Sequence, residues 1–524
     1  MTAAMKDAAA AEAAPSFIDH VTNVSDFIWG GTWNGEQAIP LPPMILILLG
    51  IGIYMMIGLR FYPLRKLGPA FAGIFRKTGE RGEGEISPFA ALSTALSGQV
   101  GTGNLAGVAT AIALGGPGAV FWMWVTALIG MALAFAEGAL AIRYREVTPS
   151  GHRRGGPMSY IMLGLGPRWK WLAIFFSIGT LFSAMVTGNM IQANSVGDSF
   201  RQLTGMEEWI GGLAVAVLVF LVIIGGIKSI GAVAEKIVPT MAIGYILMSL
   251  IAIIINIEDI PATFGLIFSG AFNPQAATGG FLGAAIIVAM RAGVARGLFS
   301  NEAGQGSTPM AHAVAQTRDP ALQGRFSMMG TFIDTILVCT MTALVILTVQ
   351  GSFPVTDANG AVIATQEHAW SSSLRGFDMT AGAFAAAFPV AVGSIPIGAL
   401  FASVALLLFV FTTLLTWSYY GERAITFLYD QVSGTERGEK VLHILWRLLW
   451  CVVIWLGSFQ ELELVWRLGD IANAAMALPN LIALALLSGV VFALARGEST
   501  AGKDHGPAHA GEPQDSPAAD PAAP

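Results

Sequence analysis

Long apolar runs, set off by short charged or Gly/Pro-rich stretches, repeat along most of this chain, and they do not alternate at period two. About 20 consecutive apolar residues cross a bilayer as a helix. Inside lipid only helices and closed barrels satisfy the backbone, and unalternating runs of this length select helices. Eleven spans are predicted, at 42–61, 88–114, 119–144, 171–200, 209–226, 234–257, 279–316, 326–349, 396–427, 441–457 and 464–495. The expected class is an all-α membrane protein.

Composition agrees. Of 524 residues, 54% are hydrophobic and 12% are charged, half the roughly 25% of a soluble domain. Cys339 and Cys451 lie in separate spans, which argues against a disulfide or metal framework. The first forty residues lack a basic stretch followed by an apolar one, so no cleavable leader is expected. Residues 1–15 and the tail 497–524 are rich in Ala, Pro and polar residues and are expected to be disordered.

Lys and Arg mark cytoplasmic loops. They gather after the first span (Arg60, Arg65, Lys66, Arg76, Lys77, Arg81), after the third (Arg143, Arg145, Arg153, Arg154), and at Arg318, Arg325, Arg437 and Lys440. The alternate loops carry few basic residues and several acids (Glu207, Glu208, Glu258, Asp259). This predicts an inner-membrane protein with a periplasmic N-terminus and a cytoplasmic C-terminus.

Two spans carry interruptions. The span 88–114 holds Ser97-Gly98-Gln99-Val100-Gly101-Thr102-Gly103-Asn104. Glycine costs about 1 kcal/mol against alanine inside a helix, and opened backbone at membrane depth must line a cavity or be buried in protein. A ligand site explains Gln99, Thr102 and Asn104 together better than close packing through small residues does. The span 279–316 is too long for one crossing and holds Arg291, Arg296 and then Ser300-Asn301-Glu302-Ala303-Gly304-Gln305-Gly306. Ionisable groups at membrane depth are costly; here either substrate contact or an Arg291 or Arg296 pair with Glu302 accounts for them. Each interrupted span is followed by four more, and the charge pattern gives the two sets opposite directions. This is the pattern of an inverted-repeat transporter. The expected units are a segment at 1–40, an extra span at 41–62, five-helix repeats at 88–258 and 279–496, and the tail.

The motifs Val100-Gly101-Thr102-Gly103-Asn104-Leu105-Ala106-Gly107, Gly115-Gly116-Pro117-Gly118, Gly155-Gly156-Pro157-Met158, Gly188-Asn189-Met190-Ile191-Gln192-Ala193-Asn194, Gly297-Leu298-Phe299-Ser300-Asn301-Glu302-Ala303-Gly304, Thr331-Phe332-Ile333-Asp334-Thr335 and Trp417-Ser418-Tyr419-Tyr420-Gly421-Glu422 resemble the alanine or glycine:cation symporters, the sodium:alanine symporter family. The family is similar in fold to the bacterial leucine transporter, a 5+5 inverted repeat with two broken helices. The resemblance implies sodium-coupled uptake of a small neutral amino acid, alanine or glycine. It places the substrate carboxylate on the amides of Gly101, Thr102 and Gly103, with Thr102 and Asn104 adding side chains. The ammonium would meet carbonyls at Phe299, Ser300 and Asn301, and Phe299 and Trp417 would close over the side chain. Sodium would sit between the carbonyls of Ser97 and Val100 and the hydroxyls of Thr412 and Thr413; those hydroxyls can instead bond their own i−4 carbonyls. With no carboxylate expected in this cluster, sodium is favoured over the proton. Another small solute, or proton coupling, stays open as the alternative.

Other classes fit poorly. No Walker A lysine motif, His-Glu-x-x-His or Gly-x-Ser-x-Gly occurs in the sequence. An enzyme and a nucleic-acid partner are not expected, the lipid bilayer is the expected surroundings, and a monomer is favoured.

Overall fold

The computed structural model describes residues 16–39, 41–74, 84–147, 153–272, 284–357, 360–393, 395–460, 462–498 and 500. The expectations of disorder at the first fifteen residues and in most of the tail fall outside this set. So do Arg76, Lys77, Arg81 and the start of the span predicted from 279.

The chain is mostly helical. In order run α1 Phe17–Gly30, α2 Pro43–Gly58, α3 Pro88–Gln99, α4 Gly103–Gly115, α5 Gly118–Arg143, α6 Pro167–Thr204, α7 Glu208–Ile223, α8 Gly226–Ile255, α9 Ile260–Phe272, α10 Ala284–Asn301, α11 Pro320–Thr348, α12 Gly376–Ala387, α13 Ile397–Asp430, α14 Glu436–Gly457, α15 Leu462–Leu486 and α16 Ser488–Arg496. Four two-stranded hairpins decorate the loops, the longest pairing Gln350–Thr356 with Val362–His368. Among the described residues seven helices are long and apolar enough to cross a membrane: α5, α6, α8, α11, α13, α14 and α15. Exposed apolar side chains such as Ile243, Leu247 and Ile254 on α8 and Leu445, Leu448 and Val452 on α14 form a surface that lipid would cover.

Local chemistry sets several helix starts. Ser87 Oγ accepts from the amide of Ala90 at 2.9 Å, with Pro88 at the first helical position of α3. Asp319 does the same for α11, taking the amides of Ala321 and Leu322. In the centre, small residues bring backbones together. A Cβ on Gly138 of α5 would lie 2.6 Å from Ser327 of α11, and one on Gly130 would lie 2.9 Å from Ala303.

Three helices were not among the predicted spans: α1, α9 and α12. Each has 12 to 14 residues, too short for the 20-residue pattern that revealed the others. Two predicted spans also divide differently. The span 464–495 is two helices, parted at Leu487. The second half of the span 279–316 is a single turn, Pro309–His312. The chain after it pairs with the approach to α3: the amide of Glu85 donates to Val314 and that of Gln316 to Ile86.

Candidate functional site

Both interruptions are real breaks in the backbone. After Gln99 the chain extends at Val100 (φ −79°, ψ 96°) and resumes as a π-helical turn, Gly103–Gly107, before the rest of α4. Glu302 ends α10 in the left-handed region (φ 56°), followed by Gly304 (φ 85°) and Gly306 (φ 87°). Only glycine takes that region without steric cost, so Glu302 is held there by its surroundings. Its Oε1 accepts from the indole of Trp417 at 2.9 Å and its Oε2 from Ser307 at 2.5 Å.

The two breaks lie against each other. A Cβ on Gly103 would stand 3.0 Å from the Phe299 ring and 3.2 Å from the Ser300 Cα. Gln99 Nε2 donates to the Asn301 carbonyl at 2.5 Å. α11 joins them through Asp334, whose Oδ1 accepts from Asn104 Nδ2 at 2.6 Å. Its Oδ2 accepts from Ser300 at 2.9 Å and from Thr335 at 2.8 Å. Asn301 Nδ2 donates to Thr335 at 3.1 Å. All of these side chains are buried. Asp334 thus places a buried carboxylate where the two breaks meet, bonded to Asn104, Ser300 and Thr335 rather than to the oxygens of Ser97, Val100 or Thr413, and no ion pair to it occurs among the described residues.

The amides assigned to the substrate carboxylate are partly engaged. Gly101 N donates to Asn104 Oδ1 at 2.9 Å. The amide and hydroxyl of Thr102 both donate to Gln192 Oε1, at 3.1 and 2.9 Å, and the hydroxyl lies 3.2 Å from Ser195 Oγ. The Gln192 oxygen thus holds two donors in the way a carboxylate oxygen would. Sequence reasoning quoted its motif without giving it a role. Gln192 follows a π-helical turn in α6, Val186–Met190. A third π segment, Phe332–Cys339, carries Asp334. Such turns cluster at functional sites because they re-aim side chains within a helix.

The aromatic pair separates. Phe299 packs on Trp466 of α15, with ring centroids 4.9 Å apart. Trp417 lies over Gly188 of α6, where a Cβ would come 2.5 Å from the indole.

The oxygen site is partly as expected. Thr413 Oγ1 lies 3.1 Å from the carbonyls of both Ser97 and Val100. Thr412 does not join it: its hydroxyl bonds the Phe409 carbonyl at 2.9 Å and faces Met241 of α8. Adjacent residues on a helix point about 100° apart, so one of the two must turn away. Thr416, a turn further along, contacts Ser97 Oγ and donates to the Thr94 carbonyl at 3.1 Å. The arginines do not pair with Glu302: Arg296 holds Asp470 at 2.9 Å and Arg291 holds Asp26.

A cavity of about 750 Å³ opens above this site, lined by Ala106, Thr110, Ser195, Arg296, Trp466 and Asp470 among others. Its wall includes Ser195, whose hydroxyl lies 3.2 Å from that of Thr102.

The family model described as the sodium:alanine symporter family matches residues 29–505. The sodium/alanine symporter AgcS of Methanococcus maripaludis is 43% identical over 91% of this chain and 96% of its own length. The putative sodium/proton-dependent alanine carrier YrbD of Bacillus subtilis is 40% identical over 85% and 87%. The probable sodium/glutamine symporter GlnT of the same organism is 35% identical over 93% of this chain and 92% of its own length. Among solved structures, MhsT in complex with L-phenylalanine superposes with a TM-score of 0.53 at 12% identity, covering 80% of this chain and 93% of that one; at this identity the likeness shows the fold. The chain is thus a multi-pass membrane transporter and not an enzyme, and it belongs to the sodium:alanine symporter family.

Proposed function

We propose that this protein couples sodium entry to the uptake of a small neutral amino acid, alanine or glycine, by alternating access across the cell inner membrane. The observation that carries this reading is the crowding of oxygens at the first break. A hydroxyl has one proton to donate, yet Thr413 Oγ1 lies within 3.1 Å of three carbonyls, those of Ser97, Val100 and Phe409. At most one of those approaches is bridged by its hydrogen. A hard cation drawn to oxygen ligands suits such a cluster. In this reading Ser97, Val100 and Thr413 hold sodium, while Gly101, Thr102, Gly103, Asn104 and Gln192 receive the carboxylate. Ser300, Asn301 and the carbonyl of Phe299 receive the ammonium.

Eleven spans, the extra span α2 and two inverted five-helix units beginning with α3–α4 and α10, agree with the breaks facing each other. The basic loops support a periplasmic N-terminus. The relatives' names carry alanine twice and glutamine once, which favours alanine. One cation crossing 100 mV supplies about 2.3 kcal/mol, and a tenfold gradient adds about 1.4 kcal/mol. Together they support accumulation of a zwitterion by a few hundredfold, enough for nutrient uptake.

Purified protein in liposomes should accumulate labelled alanine under an inward sodium gradient, and not when potassium replaces sodium. Equal uptake in the two salts would overturn sodium coupling. A second reading, proton coupling, draws on Asp334, a buried carboxylate at the junction of the breaks. Accumulation driven by a pH gradient alone would select it.

The orientation of Trp417 matters to this reading. Gly188→Ala places a methyl 2.5 Å from its indole, and overpacking of this kind costs about 1–3 kcal/mol. Uptake per unit of inserted protein should fall about tenfold, with the loss read after normalising to folded protein by size-exclusion. Undiminished uptake would remove Trp417 from the transport machinery.

A further inference from the structure

The amino-terminal helix α1 lies outside the repeats, yet its buried face reaches the rim of the cavity. Ser16 caps it, and Gly31 ends it in the left-handed region. The carboxylate of Asp26 accepts from Arg467 of α15 at 2.8 Å and also from Arg291 of α10. One turn on, the Trp29 indole donates to the backbone carbonyl of Asp470 at 3.0 Å. Gly30 lies directly under the Arg291 guanidinium: a Cβ there would come 2.5 Å from Nη1, so a side chain would push the arginine aside. The same helix therefore grips α10 and α15 at once.

That grip connects to the substrate site by an unbroken set of contacts. Asp470, whose carbonyl Trp29 holds, pairs through its carboxylate with Arg296 of α10. The Arg296 guanidinium lies 4.7 Å from the Trp466 ring centroid and 5.8 Å from that of Phe299, the residue against which Gly103 packs. All of these groups stand at or beneath the cavity that leads down to Ser195. For solute to pass from this end, α10 and α15 must part between Arg296 and Asp470.

We propose that Asp26 is a positioning residue for transport: through Arg291 and Arg467 it clamps α10 to α15 and holds the Arg296–Trp466–Phe299 lid closed over the substrate site. The inference rests on the symport reading for its direction of passage. Ion pairs that are part-exposed are weak singly, which suits a clamp that must open in every cycle. One carboxylate shared by arginines on two helices releases both when it lets go.

The test uses full-length protein carrying Ala295→Cys, a cavity-lining position beside Arg296. The parent chain without it gives the background from Cys339 and Cys451. A charged, membrane-impermeant thiosulfonate is the probe. Adding Asp26→Asn should speed modification about fivefold, and Asp26→Glu should restore the slow rate. In uptake assays Asp26→Asn should lower KM and kcat together, about threefold each. A larger open population binds substrate more readily, while closure, which turnover needs, is impaired. Structural damage alone would lower kcat without lowering KM. Trp29→Phe keeps an aromatic side chain, though a smaller one, removes the bond to Asp470 and should act in the same direction, which covers the case in which Asp26→Asn does not fold. Modification rates unchanged in both variants would overturn the clamp. The modification assay needs neither sodium nor alanine, so absent sodium-driven uptake in the unmutated protein would count against the symport reading and leave the clamp to be judged by the probe.

Discussion

Asp334→Asn should lower the kcat/KM of sodium-driven alanine uptake by on the order of 100-fold. Three donors converge on this carboxylate: Asn104 from the first break, Ser300 from the second, and Thr335 from its own helix. Asparagine can still accept from Asn104 through its one carbonyl oxygen, but its amino group forces the Ser300 and Thr335 hydroxyls to turn from donors into acceptors, and the charge that strengthened all three bonds is lost. Hydrogen bonds to a charged group are worth about 1.5–3 kcal/mol each, and about 2.8 kcal/mol corresponds to 100-fold in rate. The same substitution removes the carboxylate that joins the two breaks. The kinetics distinguish what that charge faces. A rise in the sodium concentration for half-maximal uptake, with alanine KM little changed, assigns it to the cation; the reverse assigns it to the ammonium. Asp334→Glu keeps the charge at the cost of an extra methylene and should fall between the two. Wild-type kinetics in Asp334→Asn would show that the network is scaffolding alone.

The importance of Asp334 was only half legible in the sequence, for a physical reason. A carboxylate inside an apolar run is itself a signal. Its partners Asn104 and Ser300, however, lie 230 and 34 residues away, and no local pattern joins them. Gln192 and Thr102, 90 residues apart, pose the same problem. What could be read were features that lipid imposes on a single segment. Apolar runs gave the long helices because lipid permits little else, and clustered glycine with polar neighbours gave both breaks because packing through small residues does not call for the polar neighbours. The short helices α1, α9 and α12 escaped because 12 to 14 residues neither span a bilayer nor exclude a loop. Thr412 and Thr413 were indistinguishable in sequence, since the choice between them depends on the rotation of α13 against α3 and α8. The tertiary contacts made it, turning Thr413 to the break and Thr412 to Met241.

That rotation makes Thr413→Val the sharpest test of the ion site. Valine matches threonine in shape and removes only the hydroxyl, so the packing of α13 against α3 is kept while one oxygen leaves the cluster with Ser97 and Val100. The sodium concentration for half-maximal uptake should rise at least about tenfold, or about 1.4 kcal/mol of binding, and uptake at a fixed low sodium concentration should fall accordingly. Thr413→Ser restores the oxygen and should restore sodium affinity. Thr412→Val, one residue away but facing Met241, should leave sodium affinity unchanged. Gly101→Ala approaches the same oxygen from the other side, with its Cβ 2.6 Å from Thr413 Oγ1, and should weaken sodium in the same way. If Thr413→Val lost uptake while sodium affinity held, the hydroxyl would be serving the helix contact rather than an ion. The coupling cation would then belong with the carboxylate of Asp334, where the proton reading also places its charge.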